Sequence, residues 1–202
     1  MTSQRHKDEG SRGRDPRDAY LDAARACILD VGWRRTTLTE VARRAGVSRM
    51  TIYRAWSDMP TLLGDLMTRE WGHLVPTEHG GVPTAARIAD EVLATIAALR
   101  DNELFVRIIE VDPELILPYL LARRGRSQEL IIGVLASAIR AGQSAGEVRA
   151  GDPVVMARAV VLAAHGFALS VHTMVDERVQ APALDDELHQ LVTRMLAPQA
   201  AR

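Results

Sequence analysis

Residues 36–56 read TTLTEVARRAGVSRMTIYRAW. Within them, Thr37-Leu38-Thr39-Glu40 is a capping-box pattern: a hydroxyl that can accept an amide N–H three residues on, and a carboxylate that can reach back. Val41, Ala42 and Ala45 follow at helical spacing, and Gly46 ends that short helix. Ser48 can cap a second short helix running through Ile52 to about Trp56. Two short helices joined by Ala45-Gly46-Val47 make a helix-turn-helix. Gly46 permits the tight turn, Ala42 lets the helices cross closely, Val47 and Ile52 fill the space between them, and Trp56 closes the far end. Ser48, Arg49, Met50, Thr51, Tyr53 and Arg54 are then left on the outward side. A helix presented in this way fits the DNA major groove, with its N-terminal residues at base edges.

On the N-terminal side, Tyr20, Ala24, Cys27, Ile28 and Val31 recur at helical spacing after Pro16, and Gly32 stops that helix. Residues 1–15 are polar, Gly- and Arg-rich, and are expected to form a disordered basic tail. The tail arginines Arg5, Arg12 and Arg14, and Arg17 just beyond, fit two roles equally, solvated charges or DNA contacts that track the phosphates or enter the minor groove. On the C-terminal side, Asp58 and Pro60 open a fourth helix carrying Leu62, Leu63, Leu66 and Met67. The expected organisation is a helix-turn-helix domain at 16–60 and a second domain at 61–202.

In the second domain a loop is expected over 72–83, then a long helix with Ala85, Ile88, Val92, Ile96 and Leu99 on one stripe. Residues 102–111 form a shorter piece broken by Asp112-Pro113, and Pro118 divides the next stretch. Ser127 is expected to cap a helix reaching Ala141, Asp152-Pro153 starts another, and Pro182 precedes the last. No stretch alternates as a strand would. The fold class is therefore all-α, with about nine helices: an N-terminal three-helix helix-turn-helix domain and a C-terminal helical domain.

Composition narrows the function. Of 202 residues 47% are hydrophobic and 25% charged, as in globular proteins. Net charge is −1, but the first sixty residues carry +4 and the remainder −5. A basic end on an acidic body suits a polyanion partner. The single cysteine, Cys27, excludes an internal disulfide and a cysteine-based zinc cluster, and the six histidines are scattered, so neither metal nor cofactor is expected. The chain has no glycine-rich phosphate loop, no nucleophile elbow and no metalloprotease His-Glu pair, so an enzyme is not expected. No secretory h-region is present. The longest uncharged run, 159–175, falls short of the roughly 20 apolar residues of a membrane span. A cytoplasmic protein with no membrane partner is the expectation.

The chain resembles the TetR/AcrR family of bacterial transcription regulators. The residues that carry the likeness are Ala24, Ile28 and Gly32, then Thr36 to Ala42, Ala45-Gly46-Val47-Ser48, and Thr51-Ile52-Tyr53-Arg54-Ala55-Trp56. It covers about residues 17–70; beyond them only the style matches. The resemblance implies that Thr37 and Tyr53 hold phosphates and that Ser48 caps the recognition helix and touches the backbone. It also implies that Arg49, Thr51 and Arg54 read bases or phosphates. Met50 could meet a thymine methyl. An arginine paired to a guanine edge supplies about 1–3 kcal/mol of discrimination. One departure stands out: most members have lysine at the start of the fourth helix, where this chain has Met59.

The second domain reads as a site of dimerisation and ligand binding. Residues 153–175 are apolar on nearly every side, and a helix of that kind is buried all round. A chain this small reaches that state more easily with a partner. The last helix presents Leu184, Leu188, Leu191, Val192 and Met195 as one stripe. With Val161, Ala168 and Val175 these predict an intermolecular four-helix bundle of a homodimer, the alternative being a core internal to one chain. Two recognition helices one helical turn apart would read a palindromic operator in double-stranded DNA. The resemblance further implies a small, mostly apolar effector held among Leu63, Met67, Ile96, Phe105, Ile109, Leu117, Tyr119, Ile132, Leu162, His165 and Phe167, whose binding releases a repressor from DNA. His165 and His172, seven residues apart, are expected on one face, either as ligand or proton sensors or as satisfied core groups. Arg107 and Glu110 are pocket groups or solvent-facing charges. The alternative function is a helix-turn-helix interaction protein without a small-molecule ligand.

Overall fold

The computed structural model describes residues 15–74 and 81–198. The expected tail lies, apart from Asp15, outside the described residues, as does the middle of the expected 72–83 loop. Among the described residues there are ten α-helices and no strand. They are α1 (Pro16–Val31), α2 (Leu38–Arg44), α3 (Arg49–Ala55), α4 (Met59–Gly72), α5 (Ala85–Arg100), α6 (Glu103–Val111), α7 (Leu117–Leu121), α8 (Arg126–Ser144), α9 (Pro153–Ser170) and α10 (Ala181–Leu196). The additional helix is α7, a single short piece that begins one residue before Pro118.

The chain divides into two compact units between Leu66 and Met67. The expected boundary at 60–61 falls earlier, because Leu62, Leu63 and Leu66 of α4 are buried. They belong with Ala24, Ile28, Val41, Ile52 and Trp56 to the apolar interior of the first unit. Asp58 begins α4 by accepting the Thr61 amide N–H at 2.7 Å, and these Thr61 hydrogen bonds hold its carboxyl below the ordinary range.

The second unit has its own core, built from α5, α8, α9 and α10 around Ile88, Ile139, Val160 and Leu188. Polar ties cross it. Arg100 of α5 grips Asp185 of α10 through both terminal nitrogens at 2.9 Å and donates to the Phe167 carbonyl of α9 at 3.0 Å. Ser127 does not cap α8: it lies inside the first turn and is buried. Gly125 holds the cap position, where its N–H donates to Gln128 Oε1 at 2.8 Å. Helix α9 ends at Ser170 and passes into a 3-10 turn, Val171–Met174, so His172 does not share a helical face with His165.

Candidate nucleic-acid interface

Local sequence fixes the geometry of α2 and α3. Thr37 caps α2 by accepting the Glu40 amide N–H at 3.2 Å. Only half of the expected capping box forms, because the Glu40 carboxylate turns to Arg43 at 2.6 and 3.0 Å. That hydrogen bond holds Glu40 below the ordinary carboxylate range. The turn between the helices depends on Gly46, at φ +68°, and on the Val47 N–H, which donates to the Ala42 carbonyl at 3.0 Å. Ser48 then caps α3. Its Oγ accepts the Thr51 amide N–H at 3.2 Å and lies 2.9 Å from the Thr51 hydroxyl. Ile52 and Trp56 are fully buried on the inner side of α3.

The outer side of α3 is open. Met50 is 68% exposed, a high value for an apolar side chain on a helix whose other face is packed. Ser48, Arg49, Tyr53 and Arg54 are exposed as well, Thr51 is half-buried beneath the Ser48 hydroxyl, and Thr37 is exposed at the start of α2. The arginines differ in state. Arg43 is held by Glu40 and Arg44 by Asp30, and each such pairing raises the guanidinium pKa. The Arg49 and Arg54 side chains have no ion pair or hydrogen bond among the described residues. A helix-turn-helix with two unengaged guanidiniums and a ring hydroxyl on one exposed face is equipped to meet phosphates and base edges. Arg17, a candidate DNA contact on sequence grounds, is instead bound to Asp65 at 2.8 Å.

The second unit places the expected pocket residues unevenly. Met67, Ile96, Phe105 and Ile132 are buried; Ile109, Tyr119, His165 and Phe167 are half-buried. Leu63 belongs to the interior of the first unit. Leu117 is exposed, and Leu162 is 72% exposed on the outer side of α9, so neither lines an interior cavity. Two contacts in this unit carried no local signal. The Trp71 and Phe105 rings meet edge to face with centroids 6.0 Å apart. The Gln128 amide nitrogen lies 3.4 Å from His165 Nε2 and 3.2 Å from the Tyr119 carbonyl. Burial alone pushes the His165 pKa below its ordinary value.

The expected dimer stripe also divides. Val161, Leu188 and Val192 are buried in the core of their own unit and are not available to a partner. Ala168 and Met195 pack against that core, and Leu184 and Val175 are half-buried. The outward apolar stripe of α9 is Val155, Ala159, Leu162 and Gly166, spaced four, three and four residues apart. Leu191 is the exposed large apolar residue of α10. Together with its 3-10 turn, α9 makes a 22-residue stretch, Pro153–Met174, long and apolar enough by length and composition to cross a membrane, longer than the uncharged run suggested. Met156, Ala157, Val160 and Val161 nevertheless bury its inner face in the core.

Comparison with known proteins agrees with this geometry. Residues 21–66 match the family described as bacterial regulatory proteins, tetR family. An HTH-type transcriptional regulator of Mycobacterium tuberculosis is 33% identical over 168 residues, which cover 83% of this chain and 87% of that protein. Among solved structures, the transcriptional repressor QsdR of R. erythropolis, from the TetR family, matches with a TM-score of 0.65 at 16% identity, over 93% of this chain and 97% of that one. A SmeT–triclosan complex matches with a TM-score of 0.57 at 18% identity, over 93% and 94% of the two chains. The chain belongs to the TetR family of bacterial helix-turn-helix transcriptional regulators.

Proposed function

We propose that the protein is a ligand-responsive repressor. A homodimer binds a palindromic operator through two copies of α3 and leaves it when a small, mostly apolar molecule enters the second unit. The observation that carries the DNA half is the pair Arg49 and Arg54, unengaged on the exposed face of α3 while the neighbouring Arg43 and Arg44 are ion-paired. A cation left free beside a polyanion gains affinity by releasing condensed counterions. Thr37 and Tyr53 anchor phosphates, Ser48 sets the start of α3, and Arg49, Met50, Thr51 and Arg54 reach the bases.

The dimer half rests on α9. A stripe of Val155, Ala159, Leu162 and Gly166, with Leu191 of α10, is suited to a self-complementary interface. It fits a second copy of the chain better than water, and a cytoplasmic assembly better than a membrane, because Arg158 stands beside it. The effector half rests on the buried apolar residues Met67, Ile96, Phe105 and Ile132, with Gln128 and His165 as polar groups. That SmeT is solved with triclosan and that QsdR is a repressor supports the same assignment.

The test is a mobility-shift assay with duplex DNA that the protein enriches from a random pool. A salt-sensitive shift of a palindromic duplex, reversed by an apolar compound from a small-molecule panel, is the expected result. No enrichment at low salt would leave an interaction module without DNA.

A further inference from the structure

Three side chains from three elements close a triangle at the C-terminal end of α3. Trp56, the residue after that helix, is buried, and its indole Nε1–H donates to Asp65 Oδ2 at 2.8 Å. The same carboxylate oxygen accepts from Arg17 Nη2 at 2.8 Å. Arg17 lies over the Trp56 ring, 4.8 Å from its centroid, and also donates to the Ala55 carbonyl at 3.4 Å. Asp65 belongs to α4, Arg17 to the first turn of α1, and Ala55 is the last residue of α3.

We propose that Asp65 is a positioning residue for DNA recognition: one carboxylate sets the direction of α3 through Trp56 and Arg17. The proposal rests on the reading of α3 as the DNA-contacting helix. Helix α3 has seven residues, too few to hold a direction by its own hydrogen bonds. Its first end is fixed by the Ser48 cap and the turn at Gly46; its last end is fixed by this triangle. A tilt of about 10° moves one end of a helix about 10 Å long by about 2 Å. A paired arginine–base hydrogen bond does not survive that displacement.

The proposal makes a prediction opposite in sign to simple electrostatics. Asp65→Asn removes a negative charge from the DNA-binding unit and weakens the hold on Arg17 and Trp56, because the remaining amide oxygen is an uncharged acceptor. Charge alone would then tighten binding to every duplex. Loss of positioning weakens binding to the recognised sequence and leaves non-specific binding equal or stronger. A merely structural residue would lower both together with the melting temperature.

The experiment uses the full chain, the duplex that the wild type enriches from a random pool, and poly(dI–dC) as non-specific DNA. Fluorescence anisotropy at several salt concentrations gives both affinities. Asp65→Asn should reduce the specific-to-non-specific ratio by about tenfold or more, as for loss of one paired base contact. Trp56→Phe keeps an aromatic ring beneath Arg17 and the full charge, removes the indole donor together with part of the buried ring volume, and should reduce the ratio in the same direction in protein whose melting curve shows it folded. It carries the test if Asp65→Asn does not fold. A ratio within about twofold of wild type in the folded variants overturns the positioning role. So does a parallel loss of both affinities. A wild-type protein that enriches no sequence overturns the DNA reading of α3, and this inference with it.

Discussion

Leu188 and Leu191 stand one turn apart on α10, yet Leu188 is fully buried and Leu191 is 51% exposed. The two therefore report on different things. Leu188→Ala removes core packing and should cost about 2–5 kcal/mol of stability. A charge placed there would attack folding before it could test association. The association test belongs on the outer stripe. Leu162→Glu should leave the helical content near wild type, lower the melting temperature only by what dimerisation contributes, and yield monomers in analytical ultracentrifugation. A folded Leu162→Glu protein that sediments as a dimer would place the interface elsewhere.

Arg49→Ala and Arg54→Ala should each weaken binding to the enriched duplex by about 1–3 kcal/mol if the side chain reads a base, and relax preference at one position of each half-site. If one of them instead holds a phosphate, binding should weaken alike for all sequences and the salt slope should shrink by about one. Anisotropy with a set of single-base variants separates the two outcomes. Tyr53→Phe should follow the phosphate pattern.

Ser48→Ala removes the acceptor that caps α3 and should cost about 1 kcal/mol of stability. Ser48→Asp keeps a capping acceptor but sets a carboxylate at the DNA face. It should retain stability and lose DNA affinity. Thermal melts and anisotropy on the two variants dissociate the cap from the contact.

His165 gives a pH prediction. Because Gln128 Oε1 is occupied by the Gly125 N–H, the Gln128 NH₂ group faces His165 Nε2, which must then be the unprotonated, accepting nitrogen. Burial lowers the folded-state pKa, so below the ordinary histidine range the unfolded chain binds a proton that the folded chain does not. Stability from this site is full above about pH 6.5 and declines as pH falls below it. The drop in melting temperature between about pH 7.5 and about pH 5.5 should be smaller in His165→Gln than in wild type. An equal drop in both would remove His165 from the pH response.

Gly142 sits inside α8, where a Cβ would lie 2.5 Å from the Pro83 carbonyl oxygen and 2.5 Å from Val148 Cγ2. Gly142→Ala therefore forces a backbone neighbour to move and should cost about 1–3 kcal/mol. A differential scanning fluorimetry comparison with Gly133→Ala, where a Cβ meets nothing within 4 Å, supplies the control.

The helix-turn-helix was legible because its signals are local. Thr37, Gly46 and Ser48 act on backbone groups within a few residues, and the buried Ile52 and Trp56 follow from spacing alone. The second unit was less legible for the opposite reason. Helix α9 is apolar on nearly every side, so periodicity cannot say whether Val161 or Leu162 faces inward; that depends on where α5, α8 and α10 lie. The end of α9 at Ser170 carries no glycine or proline to announce it, so the seven-residue spacing of His165 and His172 does not put them on one helical face. At the start of α8, Ser127 offered the better capping hydroxyl, yet Gln128 reaching back to Gly125 won the position. The Asp65–Trp56 bond spans nine residues and two helices, and only the packing of α4 against the end of α3 reveals it.

Cys27 is the sole thiol in the chain and lies buried in the first unit, 1% exposed. A disulfide-exchange reagent added to the intact protein therefore reacts only when that unit breathes. Its rate of colour development is a native clock for local opening, free of any engineered label. Run with and without operator duplex, the same clock would show how far bound DNA quiets the unit that grips it.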